Sequence, residues 1–365
     1  MKHSERQACR KWAIDAIKTM NEAMGDTSTP LHEFPVPKEW GVKVILKDES
    51  VLASGSLKHR LAASLISFGI CNGDITQHST LVDASSGSTA VSEAFYAKAL
   101  GLPFVAVVPS CTSPKKLQII EESGGKCYLC EPGESIYNKA AELGAQDNWV
   151  YLDQFTNASL RTNWRSDNLA SALFQQLAAT SHEIPAWVIV GAGTGGTAST
   201  IARYSRYHGL DTQLCVVDPE GSAYYEAWKT NSREITGPGS RIEGIGRPRV
   251  EPSFIPSIVD EVLPIPDRAS VAGMVAMRDR GFDVGASTGT NIIGTLAIAY
   301  TMYKNGISGT IASIICDRSD RYQDSYCSNE WLDESGLAPC EYLDELNAWL
   351  DGGEMPSWVP VPEVN

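Results

Sequence analysis

The chain has 365 residues, 43% of them hydrophobic and 20% charged, and its 30 basic and 44 acidic side chains leave a net charge of −14. That length exceeds one core of ordinary size and predicts two domains, or one large α/β unit with a lobe. A field of this sign disfavours nucleic-acid binding, so any anionic ligand needs a local site, and no run of about 18 uncharged apolar residues is present to span a membrane.

The N-terminal run Met1-Lys2-His3-Ser4-Glu5-Arg6-Gln7 leads into an amphipathic pattern (Trp12, Ala13, Ala16, Ile17) that is charged throughout. It lacks the apolar core of a signal peptide, so the expected compartment is the cytoplasm. Residues 5–45 read as a helix, a Pro-rich turn (Pro30, Pro35, Pro37) and a first strand. After Val44-Ile45-Leu46 comes the polar stretch Asp48-Glu49-Ser50-Val51-Leu52-Ala53-Ser54-Gly55-Ser56-Leu57-Lys58-His59-Arg60, and then a helical pattern at Leu61, Ala62, Ala63, Leu65 and Ile66. Lys58 sits where loop meets helix. There the positive end of the helix dipole disfavours the ammonium form, which suits an amine nucleophile able to form a Schiff base with a carbonyl group, pyridoxal phosphate included. Taken alone, Lys58 reads more readily as a solvated surface lysine.

Strand and helix then alternate: Thr80-Leu81-Val82-Asp83 before Ala90 to Leu100, Phe104 to Val108 before Pro114 to Glu122, and Lys126 to Cys130 before Ile136 to Leu143. A helical, polar stretch follows from about Ala158 to Ile184, and strands resume at Trp187 to Val190, Gln213 to Asp218 and Thr310 to Cys316. This pattern predicts parallel βαβ units in two series, hence two α/β lobes with a cleft between them. Residues 221–265 are rich in Gly and Pro and read as irregular loops near a site, and the tail from about 336 reads as peripheral. The nine cysteines are scattered, which argues for reduced thiols. Cys127 and Cys130 have the spacing of a metal or redox pair, but they lie on an alternating strand pattern and no second pair follows, so no metal site is expected.

Three loops carry chemistry. Gly191-Ala192-Gly193-Thr194-Gly195-Gly196-Thr197 follows a strand and opens a helix, the form of a phosphate cradle. It also satisfies Gly-x-Gly-x-x-Gly, and Asp218 ends the next strand, so a nicotinamide dehydrogenase is a competing reading. The hydroxyls of Thr194, Thr197, Ser199 and Thr200 suit a single phosphomonoester better. Ser85-Ser86-Gly87-Ser88-Thr89 forms a second anion nest, fitted to a carboxylate, or else an ordinary Ser-rich helix cap. A third loop, Gly285-Ala286-Ser287-Thr288-Gly289-Thr290-Asn291, is expected to open a helix from Ile292.

With these motifs in order from about residue 40 to 335, the chain resembles the fold-type II pyridoxal-phosphate enzymes of the cysteine synthase and cystathionine β-synthase family. The motifs that carry the resemblance are Gly55-Ser56-Leu57-Lys58-His59-Arg60, Ser85 to Ala94 and Gly193 to Thr197. The run Ile242 to Pro256 and the Val284 to Asn291 segment are similar to the bacterial L-cysteine desulfhydrase branch. The resemblance implies a two-lobed, tryptophan synthase β-like α/β fold, each lobe a mainly parallel sheet flanked by helices. Residues 46–160 would form a small mobile substrate-binding lobe, 1–45 and 161–335 a large lobe binding the cofactor phosphate, and 336–365 a C-terminal extension. A homodimer is also implied.

By the same resemblance Lys58 holds pyridoxal 5′-phosphate through its amine, and Gly193, Thr194, Gly195, Gly196 and Thr197 bind the phosphate. Ser85, Ser86, Gly87 and Thr89, with Gln154, would bind the substrate carboxylate. Ser88 stands where many relatives place an Asn beside the cofactor's ring hydroxyl. Cys316-Asp317-Arg318-Ser319-Asp320-Arg321-Tyr322 departs from the family pattern, with Arg318 in place of the Ser that meets the pyridine nitrogen and Ser319 in place of a Gly. Either Arg318 points away and Ser319 takes the contact, or a cation faces the ring. The implied reaction is β-elimination of L-cysteine to hydrogen sulfide, pyruvate and ammonia. β-Replacement on O-acetylserine or cysteine and a catalytically inactive regulatory homologue are the alternatives.

Overall fold

The computed structural model describes residues 3–180 and 184–364. Met1 and Lys2 of the charged N-terminal run, residues 181–183 of the stretch read as polar and helical, and Asn365 lie outside them. In chain order the elements are α1 (His3–Met24), β1 (Leu31–Phe34), β2 (Val42–Asp48), α2 (Lys58–Asn72), β3 (Thr80–Ala84), α3 (Ser88–Leu100), β4 (Phe104–Pro109), α4 (Pro114–Glu122), β5 (Lys126–Cys130), α5 (Ile136–Gly144), β6 (Trp149–Tyr151) and α6 (Gln154–Asn157). They continue with α7 (Leu169–Ala179), β7 (Trp187–Gly191), α8 (Gly196–Tyr207), β8 (Gln213–Pro219), α9 (Tyr224–Thr230), β9 (Glu261–Ile265), α10 (Asp267–Asp279), α11 (Ala286–Lys304), β10 (Gly309–Ile315), α12 (Asn329–Glu334) and α13 (Cys340–Leu350). The chain divides into two units, one made of residues through Thr27 with Leu52–Asn163, the other of Ser28–Val51 with Trp164 onward. Each is a mainly parallel sheet flanked by helices, as expected. Among the described residues no helix is long and apolar enough to cross a membrane.

The first unit is built on a parallel sheet of order β5-β4-β3-β6. Side chains alternate across it, as the two-residue period of a strand requires. Leu81, Phe104, Ala106 and Val108 join α1, α2 and α3 in one core, whereas Val82, Ala84, Val107 and Cys130 join Ala140 of α5 in another. Helix α1, grouped above with the other lobe, belongs here because its Ala16 and Met20 are buried in the same core as Leu65, Ile66 and Ala94. Cys127 packs against the first of these cores and Cys130 lies in the second, so the two thiols occupy opposite faces of β5 and do not form a pair.

In the second unit the strand order is β1-β2-β10-β7-β8-β9, parallel except for the antiparallel edge pair β1 and β2. Two strands absent from the sequence reading lie at its edges. Pro30 and Pro35 bracket β1, and β9 contains Pro264, and proline is tolerated at a sheet edge. Residues 221–265 therefore hold α9 and β9 as well as loops.

Two further expectations are corrected here. The third hydroxyl-rich run opens no loop: Gly285 is the N-cap and α11 runs from Ala286. Its small residues serve helix packing. A Cβ on Gly289 would come within 2.0 Å of Ser270 O, and one on Gly273 within 2.5 Å of Gly289 O, so α10 and α11 touch backbone to backbone. Nor is the tail peripheral. Leu337, Leu346, Trp349, Val359 and Val364 are buried in the main core, with the Trp349 ring 5.6 Å from both Trp40 and Tyr300.

Candidate active site

In the first unit Lys58 is the first residue of α2 and is half-buried, its backbone N–H donating to Ser56 Oγ at 3.3 Å. His59, wholly buried, bonds Ser54 Oγ through Nδ1 (3.0 Å) and the Tyr96 hydroxyl through Nε2 (2.7 Å). Ser54 Oγ lies 2.7 Å from Ser92 Oγ, whose hydroxyl donates to Ser88 O at 2.9 Å. The loop before Lys58 and the first turn of α3 are thus bonded together.

That first turn carries the serine loop. Ser85, Ser86 and Gly87 connect β3 to α3, and Gly87, as N-cap, offers no side chain to the helix's free N–H groups. Thr89 donates to Gln154 Oε1 at 2.8 Å, and Gln154 Nε2 donates to Ala84 O at 3.4 Å. Gln154 is aimed by Asp153, which adopts a left-handed conformation (φ 46°) and caps α6. The residues expected to hold a carboxylate therefore sit together in one unit with Lys58.

Beneath this loop lie two acids that the sequence reading passed over, Asp83 and Glu93, neither exposed to solvent. Asp83 Oδ1 accepts the Ala84 N–H at 2.8 Å, and its carboxyl faces that of Glu93 within hydrogen-bonding reach. Burial raises the Asp83 carboxyl to about 6; burial and the charge of Asp83 push Glu93 well above the usual carboxylate range. One proton shared between them satisfies both. The signal was a single acid inside the apolar run Ala90-Val91-Ser92-Glu93-Ala94, which turns inward on α3.

In the second unit the glycine loop joins β7 to α8, with Gly195 as N-cap at φ 85°. Gly196 N–H donates to Thr194 Oγ1 at 3.2 Å. The 221–256 segment presses on this loop. A Cβ at Gly195 would lie 2.5 Å from Phe254 Cα, and one at Gly191 would lie 2.7 Å from Ile245 Cγ2. Gly246 N–H donates to Ala192 O (2.8 Å), the Tyr224 hydroxyl donates to Gly193 O (2.6 Å), and Phe254 stacks on Tyr224 with centroids 4.0 Å apart. Glu251, fully buried, receives Arg247 Nε and Arg249 Nε at 3.2 Å each and anchors the segment. The donor set is the N–H groups of the first turn of α8 with the hydroxyls of Thr194 and Thr197, and a left-handed glycine lets the backbone approach; these fit a phosphomonoester.

The dinucleotide reading loses its acid. Asp218 is buried, its Oδ2 accepts the Tyr225 N–H at 2.8 Å, and burial raises its carboxyl to about 7. It fastens the start of α9 and is not presented to a ribose.

Arg318 and Ser319 follow β10. Helix α11 braces this strand end: Asn291 Nδ2 donates to Ile314 O (2.9 Å) and Thr288 Oγ1 accepts the Cys316 N–H (3.0 Å). Arg318 is exposed and its Nε donates to Ser50 Oγ at 3.2 Å. The Ser319 hydroxyl and N–H both donate to Asp283 Oδ1, at 2.5 and 3.2 Å. Ser319 can therefore present a lone pair to a ligand, but its proton is committed to Asp283.

Comparison with known proteins gives consistent results. The family described as "Pyridoxal-phosphate dependent enzyme" matches residues 23–317. The chain is 45% identical over 342 residues to L-cysteine desulfhydrase Cds1 of Mycobacterium tuberculosis, covering 92% of this chain and 93% of that protein. It is 26% identical over 333 residues to cysteine synthase 1 of Emericella nidulans, covering 88% and 87%. Among solved structures, the O-acetylserine dependent cystathionine β-synthase of Helicobacter pylori superposes with a TM-score of 0.70 at 26% identity, over 84% of this chain and 97% of that one.

Proposed function

The chain belongs to the pyridoxal-phosphate dependent enzymes, and on that premise we propose that it is an L-cysteine desulfhydrase, releasing hydrogen sulfide, pyruvate and ammonia. The observation that carries this reading is the 45% identity, over nearly the whole of both chains, to a protein of that activity. The cofactor, when bound, supplies an electron sink that acidifies the substrate Cα–H. This chain's residues do the rest. Lys58, at the positive end of α2, holds the cofactor through its amine and then takes the Cα proton as general base. The N–H groups of Ser88 and Thr89, with the Ser85 and Ser86 hydroxyls, receive the substrate carboxylate, and Gln154 fixes Thr89. Gly193 to Thr197 hold the phosphate. Arg318, drawn toward Ser50, leaves the ring nitrogen without the usual serine, which fits elimination at Cβ.

Support for the cytoplasm comes from nine free thiols, which belong to a reducing compartment. A homodimer completes the reading, and light scattering on the purified protein tests it.

The decisive experiment is an absorption spectrum before and after L-cysteine, with sulfide and pyruvate assayed together, repeated for Lys58→Ala. A yellow wild type that forms pyruvate in proportion to sulfide is expected, with activity lowered at least about a thousandfold in the variant. A protein that stays colourless with added cofactor overturns the reading. Sulfide formed without pyruvate, or only with an added thiol or O-acetylserine, assigns β-replacement instead.

A further inference from the structure

We propose that His59 is a positioning residue: through Ser54 and Ser92 it holds the Lys58 end of α2 in fixed register with the first turn of α3. This rests on the function proposed above, because it takes Lys58 as the base and Ser85 to Thr89 as the carboxylate nest.

The hydrogen bonds run in one direction. Ser88 O is a carbonyl and only accepts, so Ser92 spends its single hydroxyl hydrogen there, at 2.9 Å. Ser92 Oγ must then accept from Ser54, 2.7 Å away. With the Ser54 hydrogen spent, His59 Nδ1 is the donor across 3.0 Å, and its Nε2 accepts from the Tyr96 hydroxyl at 2.7 Å. The opposite order would leave Ser92 Oγ and Ser88 O as two acceptors 2.9 Å apart and turn Tyr96 onto Met24 Sδ at 3.4 Å, a weaker acceptor. His59 is therefore the neutral tautomer protonated at Nδ1.

The hydrogen-bonded chain is buried and closely packed. Ser92 and His59 are fully buried and Ser54 nearly so. The imidazole stacks on Tyr96 (centroids 4.7 Å apart, planes at 28°) and meets Phe95 edge-on at 5.3 Å. A buried chain in which each member is satisfied fixes geometry, and losing one member strands the rest. Since His59 follows Lys58 directly and Ser88 opens the helix that carries the nest, the register so fixed is that of the base relative to the substrate carboxylate. Proton abstraction is sensitive to such placement.

Two readouts test this. Nitrogen-15 NMR of the histidine side chains at neutral pH is expected to show His59 protonated at Nδ1 and bare at Nε2; a proton on Nε2 overturns the derivation. The second is the rate at which the Cα–H of L-cysteine or L-alanine exchanges into deuterated water, normalised to bound cofactor. It depends on the base and the nest but not on a leaving group. Ser54→Ala and His59→Gln are expected to slow exchange on the order of tenfold at unchanged cofactor content. His59→Asn, which keeps an amide N–H near the Nδ1 position, is expected to recover most of the loss. Equal rates in all variants, or a loss matched by unfolding and cofactor release, overturn the proposal. Exchange that proceeds in the wild type without sulfide release would instead count against the desulfhydrase reading and leave this one standing.

Discussion

The serine loop of the first unit and the glycine loop of the second are both strand-to-helix turns with a glycine at the N-cap, yet they are held in place by opposite means. Packing dominates the hold on the glycine loop: Phe254, itself stacked on the Tyr224 ring, lies against Gly195, and Ile245 lies against Gly191. Polar groups hold the serine loop: Gln154 on Thr89, Ser54 on Ser92, and the Asp83–Glu93 pair below. Packing tolerates no change in shape, whereas a hydrogen-bonded support responds to protons and to the loss of single partners. The first arrangement suits a group that stays bound through every turnover, the second a ligand that arrives and leaves.

The harshest way to break the packed side is Gly195→Ala. A residue with a Cβ meets a left-handed backbone at φ 85° and an obstruction 2.5 Å away that belongs to the backbone of Phe254. Left-handed strain of about 1–2 kcal/mol and overpacking of about 1–3 kcal/mol add to a loss of about 2–5 kcal/mol. Urea unfolding is expected to show that loss, and equilibrium dialysis is expected to show cofactor binding weakened at least tenfold. A variant with wild-type midpoint and affinity would mean that Phe254 does not constrain the loop.

On the polar side, Glu93→Gln probes the shared proton. Both acids hold protons more tightly when folded than when unfolded, so the folded state binds the excess above the ordinary carboxylate range. Their contribution to stability is therefore fully present at low pH and is lost as pH rises through the folded values, about 6 for Asp83 and higher for Glu93. Glutamine donates to Asp83 without needing a proton. The variant is expected to gain on the wild type between pH 5 and pH 8 by about 1–3 kcal/mol, measured as the difference in urea stability at the two pH values. A difference that does not change with pH would place the two carboxyls out of contact.

How much of this was visible beforehand follows from what each signal depends on. The turns that carry Lys58, the serine residues and the glycines were legible as structure because each is a short local run: a strand, a polar turn and a helix start within about ten residues. Gly285 to Asn291 has the same local composition yet lies at the start of a buried helix, because what decides its structure is the approach of α10, whose Gly273 meets the backbone of Gly289 sixteen residues later in sequence. For the same reason Asp83 and Glu93 were missed, since only the fold brings β3 and α3 side chains face to face. The helix that carries Leu346 and Trp349 is legible from its spacing, but its burial is not, because the partner it packs on, Trp40, lies some three hundred residues earlier in sequence. The strands β1 and β9 were hidden by prolines that an edge position makes harmless.

The finest test of the comparison is Tyr224→Phe. It removes one hydroxyl from the packed side and nothing else, since the ring stays stacked on Phe254 and buried. That hydroxyl donates to Gly193 O at 2.6 Å and, with Gly246 N–H on Ala192 O, ties the 221–256 segment to the first half of the glycine loop. A neutral hydrogen bond of this kind contributes about 0.5–1.5 kcal/mol, so cofactor dissociation is expected to quicken by a factor of about two to ten. Phosphorus-31 NMR of the bound cofactor is expected to shift as the loop relaxes, while the urea midpoint moves little. If packing alone fixes the loop, neither the dissociation rate nor the phosphorus signal will change. The tyrosine hydroxyl would then be a satisfied core group, and the contrast between the two loops would be complete.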